Sequence, residues 1–390
     1  LEGSASARRA QLLGLRGALL GAGGFESLAR AALDEALALT TAIGDDDYAL
    51  GHVRSGQTCY QFCYLEHPAA ATTGLEAAEL LRSAGDVVQA AMTLGWAVVS
   101  LVQAGRWEEA SGLGAELAPL ADRLGHHPAR VMATRAEGML GFFEHGDLDE
   151  LERFALRDLD LNQTSGLGWA GMALVWLGLV EFLRGDWGAG LVRLREGVAQ
   201  EPPGVLDGTG WALLFEHLAY MGARDEARAI LDEKRNALPQ TGQPAMWGAW
   251  QLLFSVIEGL VMLNEHAEAA AYYPQVQQAL GTGSILGNYQ DGRLLRRVAG
   301  IAAAAGRQWK DAEEHFEMAL RQAEELPHRL EQLQTRRFYG QMLLERDEPG
   351  DRDRAVALVT EALDGYRSLG MPRHADLAEA LLASGAPRPS

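Results

Sequence analysis

One phrase of helix-turn-helix character returns through this chain about every 40 residues, and that recurrence restricts the fold more than any other feature. It reads GRWEEA at 105–110, GDWGAG at 185–190, GARDEA at 222–227 and GRQWKDA at 306–312. In the copy WKDAEEHFEMAL (309–320), Trp309, Ala312, Phe316, Ala319 and Leu320 share one helical face. Lys310, Asp311, Glu313, Glu314 and Glu317 share the other and are solvated. The run RRVAGIAAAAG (296–306) precedes it as a second helix, so the unit is a helical hairpin. A short side chain sits where the two helices approach: Ala110, Gly190, Ala227, Ala269, Ala312 and Ala355. A large one follows four positions on, at Leu194, Leu231, Tyr273, Phe316 and Val359, and supplies the ridge for the neighbouring groove. Glycine before the second helix makes the turn. Asn264 replaces it once, because Asn tolerates the left-handed conformation.

The slots at 29, 110, 151, 190, 227, 269, 312 and 355 are 81, 41, 39, 37, 42, 43 and 43 residues apart. A degenerate copy around TTGLEAAELLRSAG (72–85) fills the double first gap. Helix ends closed by Gly44, Gly85 and Gly125 keep the same beat. The expected fold is all-α: a right-handed superhelical solenoid of about nine antiparallel hairpins, none able to bury its own face alone. It spans 1–384 as one unit, with PRHADLAEALLAS (372–384) as a capping helix and 385–390 as a disordered tail. GTGSILGNYQDG (281–292) is Gly-rich enough for a hinge or a long loop.

Charge narrows the partners. The 390 residues carry a net −19, and no Lys/Arg-rich run offsets it, so the field repels a phosphate backbone. Apolar stretches are interrupted well before the roughly 20 residues a membrane span needs. Cys59 and Cys63 are the only cysteines and form no disulfide framework, which fits a reducing cytoplasm. No signal peptide is evident, and the opening LEGSAS, without Met, reads as the start of a fragment or processed chain.

Enzyme signatures are missing: there is no GxxxxGK[ST], no HExxH, and no GxSxG after a strand, so neither catalysis nor a cofactor is expected. CYQFC (59–63), with His52 and His67 nearby, comes nearest to a zinc ligand set. Without paired CxxC spacings the two cysteines read as small buried side chains, and no metal is expected. HHP (126–128) is placed to complement the dipole of the helix ending before it. The acidic runs DDD (45–47), DLDELE (147–152) and EHAE (265–268) read as solvated faces.

The pattern resembles the tetratricopeptide repeat. Leu177–Gly178, Gly185, Trp187, Gly190, Leu194 and Gly197 match in one unit, and Trp309, Ala312, Phe316 and Ala319 in another. The resemblance covers most of the chain. It departs in length, about 40 residues against roughly 34, with longer turns such as RDEPGDRDR (346–354). Repeats this long and rich in Ala and Leu look like the sensor arm of bacterial multidomain signalling ATPases, cyclase-linked or of the LuxR/maltose-regulator type. The ending at 355–382 looks like that of the cyclase-linked branch.

The resemblance implies that first helices line a concave wall. Carried over by position, the wall comprises Met172, Val175, Leu179 and Phe182, then Glu216 and Tyr220, then Gln251, Phe254, Glu258 and Met262, then Arg293 and Arg296. Trp107, Trp187 and Trp309 fill the turn-side aromatic slot and are structural. The expected function is non-catalytic recognition: a protein segment, or the arm's own ATPase module, held in the groove to control signalling. The alternative is a small-molecule sensor of a sugar or metabolite, which a closed apolar cavity of roughly 300 Å³ or more would favour. Phe182→Ala and Glu258→Arg are expected to weaken partner binding without unfolding the chain.

Overall fold

Each copy of the phrase is a pair of antiparallel helices in the computed structural model, which describes residues 2–44, 46–201, 204–287 and 290–385. Among the described residues, nine hairpins follow one another. The first five are α1 (Glu2–Ala22) with α2 (Glu26–Ile43), α3 (Asp47–Cys63) with α4 (His67–Ser83), α5 (Val87–Gln103) with α6 (Trp107–Leu124), α7 (His127–His145) with α8 (Leu148–Ser165), and α9 (Ala170–Arg184) with α10 (Trp187–Ala199). Then come α11 (Thr209–Tyr220) with α12 (Arg224–Lys234), and α13 (Trp247–Met262) with α14 (His266–Ala271) and α15 (Tyr273–Leu280). The last are α16 (Leu295–Ala305) with α17 (Trp309–Glu325), and α18 (Arg329–Arg346) with α19 (Asp351–Ser368), and α20 (Pro372–Gly385) closes the array. Pro274 lies in the first turn of α15, where the missing amide costs no helical bond, and the second helix of that hairpin is broken just before it. Residues 386–390 of the expected tail, and 288–289 of the Gly-rich segment, lie outside the described residues.

The turn chemistry explains the phrase. Gly105, Gly185 and Gly222 take positive φ of 75°, 87° and 72°, and Asn264 takes 60° in the same role. The tryptophan that follows donates its indole N–H back across the turn: Trp107 Nε1 to the Val102 carbonyl (3.0 Å) and Trp187 Nε1 to the Phe182 carbonyl (3.2 Å). One turn differs from expectation. Gly306 is right-handed and Arg307 takes the positive φ of 56°. HHP serves both helices: the His126 backbone amide donates to the Ala121 carbonyl at the end of α6 (2.9 Å), while its side chain caps the start of α7, Nδ1 accepting from the Ala129 amide. A neutral imidazole accepts there, at the positive end of the next helix.

First and second helices differ in how much they bury. Second helices such as α17 bury one stripe, Ala312, His315, Phe316, Ala319 and Ala323. First helices such as α9, α11 and α13 are buried on nearly every side. A helix apolar all round belongs inside a core. The concave wall is therefore not open: the early hairpins lie against the late ones. Trp247 of α13 packs on Phe62 of α3 (4.8 Å between centroids) and His67 of α4 (5.4 Å). Phe143 of α7 stacks on His328 beside α18 (4.6 Å), and Phe182 of α9 meets His374 of α20 (5.3 Å).

The Gly-rich segment forms the clasp. Ile285 and Leu286 donate their amides to the Gln103 carbonyl (3.0 Å each), and Ser284 Oγ donates to the Leu65 carbonyl (2.7 Å). Trp176 Nε1 donates to the Gln290 carbonyl (3.3 Å). One loop from the seventh hairpin thus ties down the second, third and fifth. Among the described residues there is no strand, only the isolated bridge Leu286–Leu294, and no helix is long and apolar enough to cross a membrane.

Candidate functional site

Three arginines and four carboxylates meet inside the late hairpins. Arg293 leaves the clasp just before α16 and Arg297 lies in its first turn, and both reach Glu258 Oε2, at 3.4 and 2.6 Å. Arg293 Nη2 donates to Glu216 Oε2 (2.5 Å) and Asp291 Oδ2 (2.7 Å). Arg297 Nη1 donates to Glu258 Oε2 (2.6 Å), and its Nε and Nη2 bind Glu331 at 2.8–3.0 Å. From α18, Arg337 Nη2 donates to Tyr220 Oη (2.6 Å), whose hydroxyl donates to Glu258 Oε1 (2.6 Å). The Leu294 amide adds a bond to Glu331 (3.0 Å). All seven charged groups are buried.

Such a cluster persists only because it is paired and hydrogen-bonded. Burial alone would raise the Glu258 carboxyl, but the guanidinium groups of Arg297, Arg293 and Arg337 outweigh it and hold the group at about 2. Glu216 goes the other way. Burial pushes it up to about 7 against Arg293, with Glu258 and Asp291 adding repulsion. Glu331 is likewise raised by burial against the pull of Arg297. The arrangement can hold helices in register and exchange a proton at Glu216; it presents no nucleophile to an open surface.

The twelve residues expected on the concave wall distribute unevenly. Glu216, Tyr220, Glu258 and Arg293 come together in this cluster. Met172, Val175, Leu179, Phe182, Gln251 and Phe254 are buried in helix-to-helix contacts. Phe182 touches Tyr220 (5.3 Å) as well as His374, and Phe254 packs beside Gly287 of the clasp. Met262 is half-buried with its sulfur 3.9 Å from Arg337 Nη1. Arg296 is turned away and meets His315 on α17 (3.1 Å); Arg297 occupies the inward place. Sequence reasoning missed Arg297, Glu331, Arg337 and Asp291. The i, i+4 spacing of Arg293 and Arg297 was the available signal.

Other candidates resolve plainly. Cys63 is buried and Cys59 half-buried; His52 pairs with Asp86 (3.1 Å) and His67 packs against Trp247. Among the described residues no group of three or more His, Cys, Asp or Glu could hold a metal. A crevice beside Met172 and Val175 encloses about 10 Å³, room for one water at most. A wider cleft of about 730 Å³ opens where the third hairpin's turn faces residues 325–327. Its walls include Trp107, Glu108, Glu144 and Glu325, and its one arginine, Arg106, is already paired with Glu109.

No family model matches this chain, and no curated protein matches it. Among solved structures, a Rap protein crystallised in complex with Competence and Sporulation Factor aligns over 97% of this chain and 98% of its own, at 11% identity and a TM-score of 0.42.

Proposed function

We propose that the chain is a non-catalytic regulatory repeat arm that recognises a polypeptide, and that its inner wall is sequestered in the state seen here. The observation that carries this reading is the self-pairing of that wall. Glu216, Tyr220 and Glu258 are held by Arg293, Arg297 and Arg337, all within the chain. A segment entering the groove must displace these contacts, so binding is coupled to opening of the arm, and the two states differ in what they expose. The tetratricopeptide resemblance supports a protein segment, or an ATPase module of the arm's own polypeptide, as the occupant. The narrow crevice beside Val175 speaks against a small ligand at that point.

Native mass spectrometry of the chain as purified from cells tests the class of partner. A bare chain is the expected result. A retained molecule of sugar or metabolite size would overturn the reading in favour of a sensor.

A further inference from the structure

The first hairpin wears its bulk on the outside. Along α1 the residues packed inward are small: Ala7, Ala10, Gly14, Gly17 and Gly21. A Cβ added at Gly14 would lie 2.9 Å from the Val53 Cα, and one at Gly17 would lie 2.6 Å from Leu33, so the helix is pressed against α2 and α3 by that stripe. The leucines face solvent. Leu12, Leu15 and Leu19 are 62%, 55% and 66% exposed, and Phe25 and Leu28 at the adjoining turn are exposed too. Leu12, Leu15 and Leu19 are spaced i, i+3, i+7 and form one stripe. Elsewhere exposed large apolar residues stand singly, as at Tyr48, Leu156, Val192 and Val356, or as the adjacent pair Val87 and Val88, and form no stripe of three.

Its charge singles out an occupant. Arg8, Arg9 and Arg16 line a shallow groove of about 460 Å³ along this face with Leu12 and Leu13. Arg9 pairs with Glu35, whereas Arg8 and Arg16 have no carboxylate partner among the described residues. After Glu2, α1 contains no acidic residue. A second copy docked through a two-fold axis would set these arginines against each other. We infer that the α1 face is a docking surface for an acidic amphipathic helix, its apolar anchors on Leu12, Leu15 and Leu19 and its carboxylates on Arg8 and Arg16. The inference rests on the protein-recognition reading but not on the concave wall.

The test titrates the full chain with two synthetic helical peptides of about 18 residues, alike in leucines at i, i+3, i+4 and i+7. One carries glutamates beside the stripe and the other lysines. Fluorescence anisotropy is expected to show saturable binding of the glutamate peptide, weakening as salt rises, and none of the lysine peptide. The triple variant L12S/L15S/L19S should bind at least about tenfold more weakly. R8E/R16E should reverse the preference between peptides. These side chains are exposed, so both variants should keep the parent's circular dichroism and melting curve. No binding of the glutamate peptide, equal binding of both peptides, or indifference to the leucine variant would overturn the inference. So would co-sedimentation of the chain with phosphatidylserine vesicles in place of peptide binding, or a dimer by sedimentation velocity that L12S/L15S/L19S dissolves. Failure here with a bare chain in native mass spectrometry sinks this surface alone. A retained small molecule sinks the wider reading.

Discussion

Glu258 offers two oxygens to three donors: one to Tyr220, the other to Arg297 at 2.6 Å and Arg293 at 3.4 Å. Glu258→Gln keeps the shape but removes the buried carboxylate that binds Arg297 directly and Arg337 through the Tyr220 hydroxyl. We predict a loss of about 3–5 kcal/mol in urea denaturation; a change below about 0.5 kcal/mol would mean the pairs are incidental. Titration acts on the same scale. Burial holds His67, His328 and His374 down at about 3, and His217 and His315 at about 4. Their folded values lie below the unfolded 6.5, so the stability they contribute is present above pH 6.5 and is lost on acidification. Glu201 and Glu216 are raised by burial to about 7, so their contribution is present below about pH 4.5 and is lost as pH rises through 7. Near pH 5.5, unfolding charges five histidines and releases protons from Glu201 and Glu216, and burial raises Glu66 and Glu331 as well, which leaves a net uptake of about one to three protons. Stability should therefore fall by about 1–4 kcal/mol per unit as pH drops through that region. Urea midpoints measured from pH 7 to 5 check this, and a flat profile would contradict it.

Hairpin geometry depends on where a Cβ can fit. At Gly190 of α10 an added Cβ would lie 3.0 Å from the Gly178 carbonyl and 3.2 Å from the Phe182 amide, backbone that cannot step aside. Gly112 of α6 is exposed, with nothing within 4 Å. Gly190→Ala should lower stability by about 1–3 kcal/mol. Gly112→Ala should raise it by about 0.5–1 kcal/mol through helix propensity alone. Thermal melts of the pair settle whether the small slot is a packing requirement, and equal shifts would refute it. This slot is also what made the array readable from sequence: Ala110, Ala227, Ala269, Ala312 and Ala355 are all fully buried where the period put them. The inward register of α16 was not readable. The clasp before it belongs to no repeat copy, so the phase was lost there and Arg296 was taken for Arg297. The turn at Arg307 was hidden too, since Gly306 looked the better left-handed residue. HHP follows one helix and precedes the next, and the sequence does not show that the His126 side chain serves the second.

A repeat period describes nearest neighbours, whereas closure of the whole array depends on a small rotation per unit that no single hairpin encodes. That is why the first helices were read as an open wall. Their apolar residues all round, as in WGAWQLLFSVIEGLVM of α13, carried the contrary signal. Closure changes what substitution does. Phe182→Ala and Glu258→Arg act on buried contacts between hairpins, so both should destabilise the fold before they touch any partner. It also changes cooperativity. An open solenoid unfolds piecewise, but here Trp247 joins hairpins that are far apart in sequence by packing on Phe62 and His67. Trp247→Ala should cost about 3–5 kcal/mol. Its effect on hydrogen exchange is the more telling readout. If the arms are one cooperative unit, amides of α3 and α4 should exchange faster together with those of α13, although nothing in their own sequence has changed. Faster exchange confined to α13 and its neighbour in sequence would show that the two arms touch without supporting each other, and the coupling of recognition to opening would lose its physical basis.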